Sequence, residues 1–259
     1  DTFAREKQLI ADAIRPHPLA AAMFEKNWNR YAAVTHFAVS HLKIDPGKPI
    51  LDYGSGFPFV SKLLTLLGYQ VCSYEPYASE GEREIARALG LESLYTTRLD
   101  PGAQFACVFM VDVIEHLSII KETMLDVNRR TSPGGYLVVS TPNVLRIEMW
   151  LRFLMRQTGH PQAIETFVRA DNNYAAHQRE FTMGELQYTL RHYGFKPVHL
   201  DTADTNPSPD SLSRYHQLLG KKTSAPSAKH RLKEGVMNGF RSAFPRQFAN
   251  NLLVIGRKE

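Results

Sequence analysis

The chain has 259 residues, of which 43% are hydrophobic and 22% charged. That is the size of one large domain, or of one domain carrying a lid, and the balance excludes disorder and collagen-like order. Net charge is +5 but uneven: residues 221–259 hold nine Lys/Arg against two acids, net +7, so the remaining 220 residues sum to −2.

Residues 1–47 read as a helical cap, with Phe24, Trp28, Tyr31 and Ala32 at helical spacing, closed by the Asp45-Pro46-Gly47 turn. From residue 49 strands and helices alternate. Residues 49–53 form a short apolar strand, and Phe59, Val60, Leu63, Leu64 and Leu67 mark a helix that stops at Gly68. Residues 70–74 form a second strand. Ser79 and Glu82 make a capping box that opens a helix running to Gly90. A weak strand near 94–97 comes next. Phe105–Val111 is fully apolar, as a central strand covered on both faces must be. A helix over 119–128 leads through Pro133-Gly134-Gly135 into a fifth strand at 136–141. Five strands with four helical crossovers give a doubly wound parallel sheet.

The alternation then breaks. Residues 142–180 are expected to be an inserted lid, with a helix over 145–155 and a polar loop through His160, Asn172, Asn173, Tyr174 and His177. Thr182 and Glu185 open another capped helix that ends at Gly194, and a strand follows over 196–202. Residues 203–217 read as loop within a basic insertion spanning 203–250, and residues 251–256 form a last strand. No stretch of about 18 apolar residues offers a membrane span. Cys72 and Cys107 fall on strands flanking the first, about 10 Å apart, too far for a disulfide. No zinc spacing occurs, and no metal is expected. A reducing, cytoplasmic setting is expected; the chain begins at Asp1 without Met, as if an upstream segment were trimmed, and shows no signal peptide.

Leu51-Asp52-Tyr53-Gly54-Ser55-Gly56 is the most informative stretch. Gly54 permits a tight strand-to-helix turn, and Gly56 lets a ligand approach the backbone with no Cβ in the way. Glu75, 21 residues after Gly54 at the end of the second strand, is placed to accept two ribose hydroxyls. A dinucleotide would want a small residue where Phe59 stands, which disfavours NAD.

These residues resemble the class I S-adenosylmethionine-dependent methyltransferases, in their ubiquinone-biosynthesis-like branch. Ile50–Gly56 is similar to that family's first motif, Glu75 to its ribose acid, and Val111-Asp112-Val113-Ile114-Glu115-His116-Leu117 to the segment after its fourth strand. Pro133–Gly135, Ser140–Asn143 and His177–Thr182 match as well. The likeness covers about residues 48–202 and the last strand. Three departures stand out: Pro58 for a third glycine, Ala106 for an aspartate, and no clear acid for the adenine, where Leu99 or Asp100 stands.

The resemblance implies a Rossmann-like, mainly parallel sheet of seven strands, the last antiparallel, over residues 48–259. It implies S-adenosyl-L-methionine held by Asp52, Gly54, Ser55, Gly56, Glu75, Leu99 or Asp100, Val111, Asp112 and His116. Catalysis by methyl transfer needs alignment, desolvation and, for a hydroxyl, a base. His116 and His177 are the candidate bases, with Asn143, Tyr174 and His177 facing the acceptor. O-methylation of a small-molecule, glycan or lipid-linked acceptor is the leading expectation. An NAD-dependent oxidoreductase and a non-catalytic cofactor-binding module of the same fold remain open. Nucleic acid is not an expected partner, since no Asn/Asp-Pro-Pro-aromatic segment follows the fourth strand. The apolar bulk of Trp150 and Phe153, with the stripe Phe240, Phe244 and Phe248, raises a peripheral membrane contact.

Overall fold

A computed structural model describes residues 3–154, 177–203, 209–218 and 249–259. The expected lid therefore lies partly outside the described residues, as do Tyr174, Phe240, Phe244, Phe248 and most of the basic insertion.

Two helices open the chain, α1 (Ala4–Ile14) and α2 (Pro18–His41). Pro18 sits at the first turn of α2, where its missing N–H costs nothing. The sheet follows as β1 (Ile50–Tyr53), α3 (Phe59–Leu66), β2 (Val71–Tyr74), α4 (Glu80–Ala88), β3 (Tyr95–Thr96), β4 (Phe105–Val111), α5 (Ile120–Arg130) and β5 (Thr131–Pro142). A 3-10 turn, Ile114–His116, lies between β4 and α5. Then come α6 (Ile147–Leu154), α7 (Met183–His192), β6 (Phe195–Ala203), α8 (Pro209–Leu218) and β7 (Asn251–Lys258).

The seven strands lie in the order β3-β2-β1-β4-β5-β7-β6. Pairs from β3 through β5 are parallel, and β7 runs antiparallel to both β5 and β6. This is the expected doubly wound, Rossmann-like sheet with an antiparallel last strand. Strand order reverses between β1 and β4, and ligands of open α/β sheets bind outside such a reversal. Leu51 pairs with Cys72 and Ile50 with Cys107, so β1 does separate the two cysteines, and both are free.

Two expectations need correction. Within residues 203–217, read as loop, a helix begins at Pro209 and runs to Leu218 as α8: a proline at the first helical position starts a helix as readily as it breaks one. Lys26 of α2 lies over the Tyr215 ring of α8 at 4.3 Å. The third crossover carries no helix, because residues 97–104 pass from β3 to β4 as turns. Both capping boxes, at Ser79/Glu82 and Thr182/Glu185, form as expected.

Among the described residues, burial is organised in three clusters. One lies under α5 and α7 around Met110, Leu137 and Leu186, and a second lies under α2 and α3 around Phe37, Ile50 and Phe109. The third joins the N-terminal helices to α3 and α4 through Ile10, Phe24, Trp28, Phe59 and Ile85. Phe59 is the hinge of that third cluster, with its ring 5.1 Å from Phe24 and 5.8 Å from Tyr31. Its bulk thus points into the cap and does not stand across the cleft. Among the described residues no helix is long and apolar enough to cross a membrane.

Phe59→Ala should cost about 3–5 kcal/mol, because the cavity opens between four helices that cannot all collapse into it. Phe59→Leu should cost much less. Urea unfolding midpoints at constant slope would measure both.

Candidate active site

The strand-to-helix turn after β1 is built from backbone that side chains disfavour. Gly54 has φ +73° and Gly56 φ +49°. A Cβ on Gly54 would sit 2.8 Å from a Val113 methyl, so the turns after β1 and β4 touch because residue 54 is glycine. The N–H groups of Gly54 and Ser55 both donate to Tyr74 O, at 2.8 and 3.0 Å. The Gly56 N–H donates to Glu75 Oε2 at 3.0 Å, and Tyr95 Oη donates to Gly56 O at 3.0 Å. Ser55 Oγ is buried with no hydrogen-bond partner among the described residues.

Glu75 stands at the end of β2, with a second bond from the Tyr77 N–H at 3.2 Å. Burial raises its carboxyl above the ordinary range, against the pull of those two amides. Asp52 is placed differently. Its carboxylate is buried and accepts from Ser61 Oγ of α3 at 2.6 Å, so it braces the turn from behind. Burial pushes Asp52 up to about 6.

The second turn follows β4. Val111 ends that strand beside Ser140, and Asp112 takes φ +56°, a left-handed conformation rare outside glycine. Its N–H donates to Ser140 O at 2.9 Å, and its carboxylate is paired with Arg30 of α2. Burial alone would lower Arg30, but the charge and hydrogen bond of Asp112 outweigh it and raise it. Arg30 Nε and Asp112 Oδ1 have no hydrogen-bond partner among the described residues.

Glu115 and His116 lie on the 3-10 turn. Glu115 is fully buried and accepts from Thr141 Oγ1 at 2.9 Å; burial, then the neighbouring Asp112, pushes it well above the carboxylate range. Its carbonyl accepts the N–H groups of Gln178 and Arg179, at 2.7 and 3.2 Å. Those bonds bring His177 to His116, ring edge to face at 4.8 Å. His177 Nδ1 is 3.1 Å from Glu180 Oε1, and Glu180 Oε2 is paired with Arg146. Burial alone would raise Glu180, but His177 and Arg146 outweigh it and hold it low.

A cleft of about 600 Å³ opens here, lined by Tyr53, Gly54, Tyr74, Glu75, Asp112 and His116 among others. The structure thus gathers the glycine turn, Glu75, Asp112 and His116, with His177 at their edge. Leu99 and Asp100 are not among the described residues lining the cleft. Asp100 turns onto its own loop, with Oδ1 accepting the Gly102 N–H at 3.0 Å. Asn143 is spent on backbone: its amide donates to Ala249 O and accepts from the Leu145 N–H, both at 2.9 Å.

Donor atoms of Glu115, His116 and His177 lie within 4.8 Å of one another, a set that could hold a divalent cation. No spacing announced it, since His177 stands 61 residues from His116. Sequence reasoning also missed Tyr53 and Tyr74, whose rings meet at 5.0 Å in the cleft, as well as Arg30, Arg146 and Glu180. Only Glu180, three residues after His177, carried a local signal.

A family model described as a methyltransferase domain matches residues 23–200. A curated relative from Rickettsia bellii, a ubiquinone biosynthesis O-methyltransferase, is 30% identical over 100 residues. That match covers 36% of this chain and 42% of the relative, so the chain spans less than half the length of the curated relatives it matches. A SAM-dependent methyltransferase from Thermotoga maritima shares the fold at TM-score 0.57 and 17% identity, covering 98% of this chain and all of its own. So does the 1,6-didemethyltoxoflavin-N1-methyltransferase of Burkholderia thailandensis, at TM-score 0.56 and 15% identity over 96% and 87% of the two chains.

Asp52 has a measurable signature. Its folded pKa of about 6 exceeds the ordinary 3.8, so the folded state binds more protons across that window. Stability should fall as pH rises from about 4 to 6 and stay lowered above. Asp52→Asn still accepts from Ser61 without the buried charge. It should flatten that slope and add about 1–3 kcal/mol at pH 7, read by denaturant melts across pH.

Proposed function

The chain belongs to the methyltransferase-domain family, the class I S-adenosylmethionine-dependent enzymes, and we propose that it transfers the methyl group to a hydroxyl of a small-molecule, glycan or lipid-linked acceptor. The observation that carries the cofactor assignment is the Glu75 carboxylate held by the Gly56 amide beside a left-handed glycine turn. A carboxylate there suits a ribose diol, and the unpartnered Ser55 Oγ supplies a polar contact the fold itself does not use.

When bound, the cofactor's sulfonium supplies an activated methyl carbon whose C–S pair returns to sulfur as the acceptor's pair arrives. What remains for the chain is alignment, exclusion of water and management of one proton. Gly54, Ser55, Gly56 and Glu75 hold the nucleoside end. Asp112, with the backbone of Val111, meets the amino-acid end. Tyr53 and Tyr74 offer ring surface at the cleft wall. Neither Leu99 nor Asp100 has a part in this assignment.

A hydroxyl, unlike a neutral amine, must shed its proton as it attacks, so an imidazole at the cleft edge favours oxygen as the acceptor atom. His116 and His177 stand there, and His177 has a carboxylate behind it. The Rickettsia bellii relative, a ubiquinone biosynthesis O-methyltransferase, points the same way. The small-molecule class of acceptor rests on the size of the cleft.

Titration calorimetry and thermal melts with S-adenosylhomocysteine test the cofactor assignment. Binding at about 100 times Kd should raise stability by about 2.7 kcal/mol. Glu75→Ala should weaken binding about 10- to 100-fold, the worth of hydrogen bonds to a charged group. NAD(H) should leave the melt unchanged. No binding to the folded wild type would overturn the assignment. Paired phenol and amine acceptors with labelled cofactor test the acceptor atom, with label expected on the phenol.

A further inference from the structure

We propose that Glu180 is a positioning residue that makes His177 the base: it fixes the imidazole proton on Nδ1 and so leaves Nε2 free to take the acceptor's proton. This rests on placing the acceptor at the His116–His177 edge of the cleft.

The geometry divides Glu180 cleanly. Oε1 faces His177 Nδ1 at 3.1 Å, and Oε2 is taken by Arg146. The Glu180 side chain is 1% exposed, so water does not compete for either oxygen. A carboxylate only accepts, so Nδ1 must carry the hydrogen, and in the neutral ring Nε2 is then bare. Arg146 has no acceptor atom and keeps Glu180 charged, which also offsets the imidazolium formed when the proton arrives.

The frame around the pair is rigid. Gln178 and Arg179 donate to Glu115 O, Val144 N–H donates to Phe181 O at 3.0 Å, and Thr182 caps α7. His177 is thereby pinned between the 3-10 turn and the start of α7, with its ring against His116.

Glu180→Gln makes a sharp test. The new side chain has one acceptor oxygen, which Arg146 must claim, so its NH2 turns to His177 Nδ1. The imidazole then flips its proton to Nε2 and loses its base. The full chain, with labelled histidine, S-adenosylhomocysteine and a chelator, would be read by nitrogen NMR above the imidazole's titration. Wild type should show Nδ1–H, and Glu180→Gln should show Nε2–H. With a phenol acceptor, kcat should fall about 10²–10⁴-fold in the variant. KM and S-adenosylhomocysteine affinity should hold.

An Nε2–H proton in the wild type would overturn the proposal without any variant, even if Glu180→Gln failed to fold. So would an unchanged tautomer or rate in a folded Glu180→Gln. His177→Asn separates the two layers. Full phenol activity in it removes the base from this edge of the cleft altogether. Loss of activity there, with Glu180→Gln unaffected, leaves the base in place and removes only Glu180's role.

Discussion

The pairing of Arg30 with Asp112 ties together parts of the chain that are 82 residues apart, and the site depends on it. Asp112 occupies a left-handed backbone region that costs a non-glycine residue of order 1–3 kcal/mol. The ion pair, together with the Asp112 amide bond to Ser140, holds it there. With Asp112 fixed, Val113 falls against Gly54, and the turns after β1 and β4 form the two walls of one cleft. The same helix that supplies Arg30 also buries Phe24 and Trp28 against Phe59, the first residue of α3. One helix therefore reaches both the aspartate turn, through Arg30, and the start of α3, through Phe24 and Trp28.

Carboxyl groups in this frame are sorted by surroundings. Asp52 and Glu115 are deeply buried with hydroxyl donors as their side-chain partners, and burial drives both up. Glu75 is partly buried and shared between two amides. Glu180 is buried too, yet His177 and Arg146 keep it low. A low-dielectric interior magnifies whichever partner is present. Four acids of similar intrinsic strength thus become a buried brace, a buried wall, a ligand-facing acceptor and a carboxylate held by cations.

What was legible in the sequence was local. Gly54, Gly56 and Glu75 announce themselves because tight turns and strand ends leave short-range marks, and the capping boxes at Ser79 and Thr182 do likewise. Arg30 and Arg146 left none, since their partners are fixed only when the sheet assembles. Phe59 was read from its place in a motif, as an obstacle to a pyrophosphate; the packing turns it to the other side. Residues 203–217 read as loop from their proline and turn clusters, and the link over 97–104 reads as helical only by analogy with its neighbours. Asn143 looked polar and near the cleft, and it is, but backbone partners absorb it.

The sheet order carries a consequence for biosynthesis. Strand β7 follows β6 in the chain yet inserts between β5 and β6 and pairs with both. Until it is made, β6 lacks a strand partner among the described residues and β5 presents an open edge. The nascent chain must keep an apolar half-sheet in waiting, exposed to wrong pairing with other chains. Cooperative closure is then a late, non-local event, slow by the entropy of the long loop it must close.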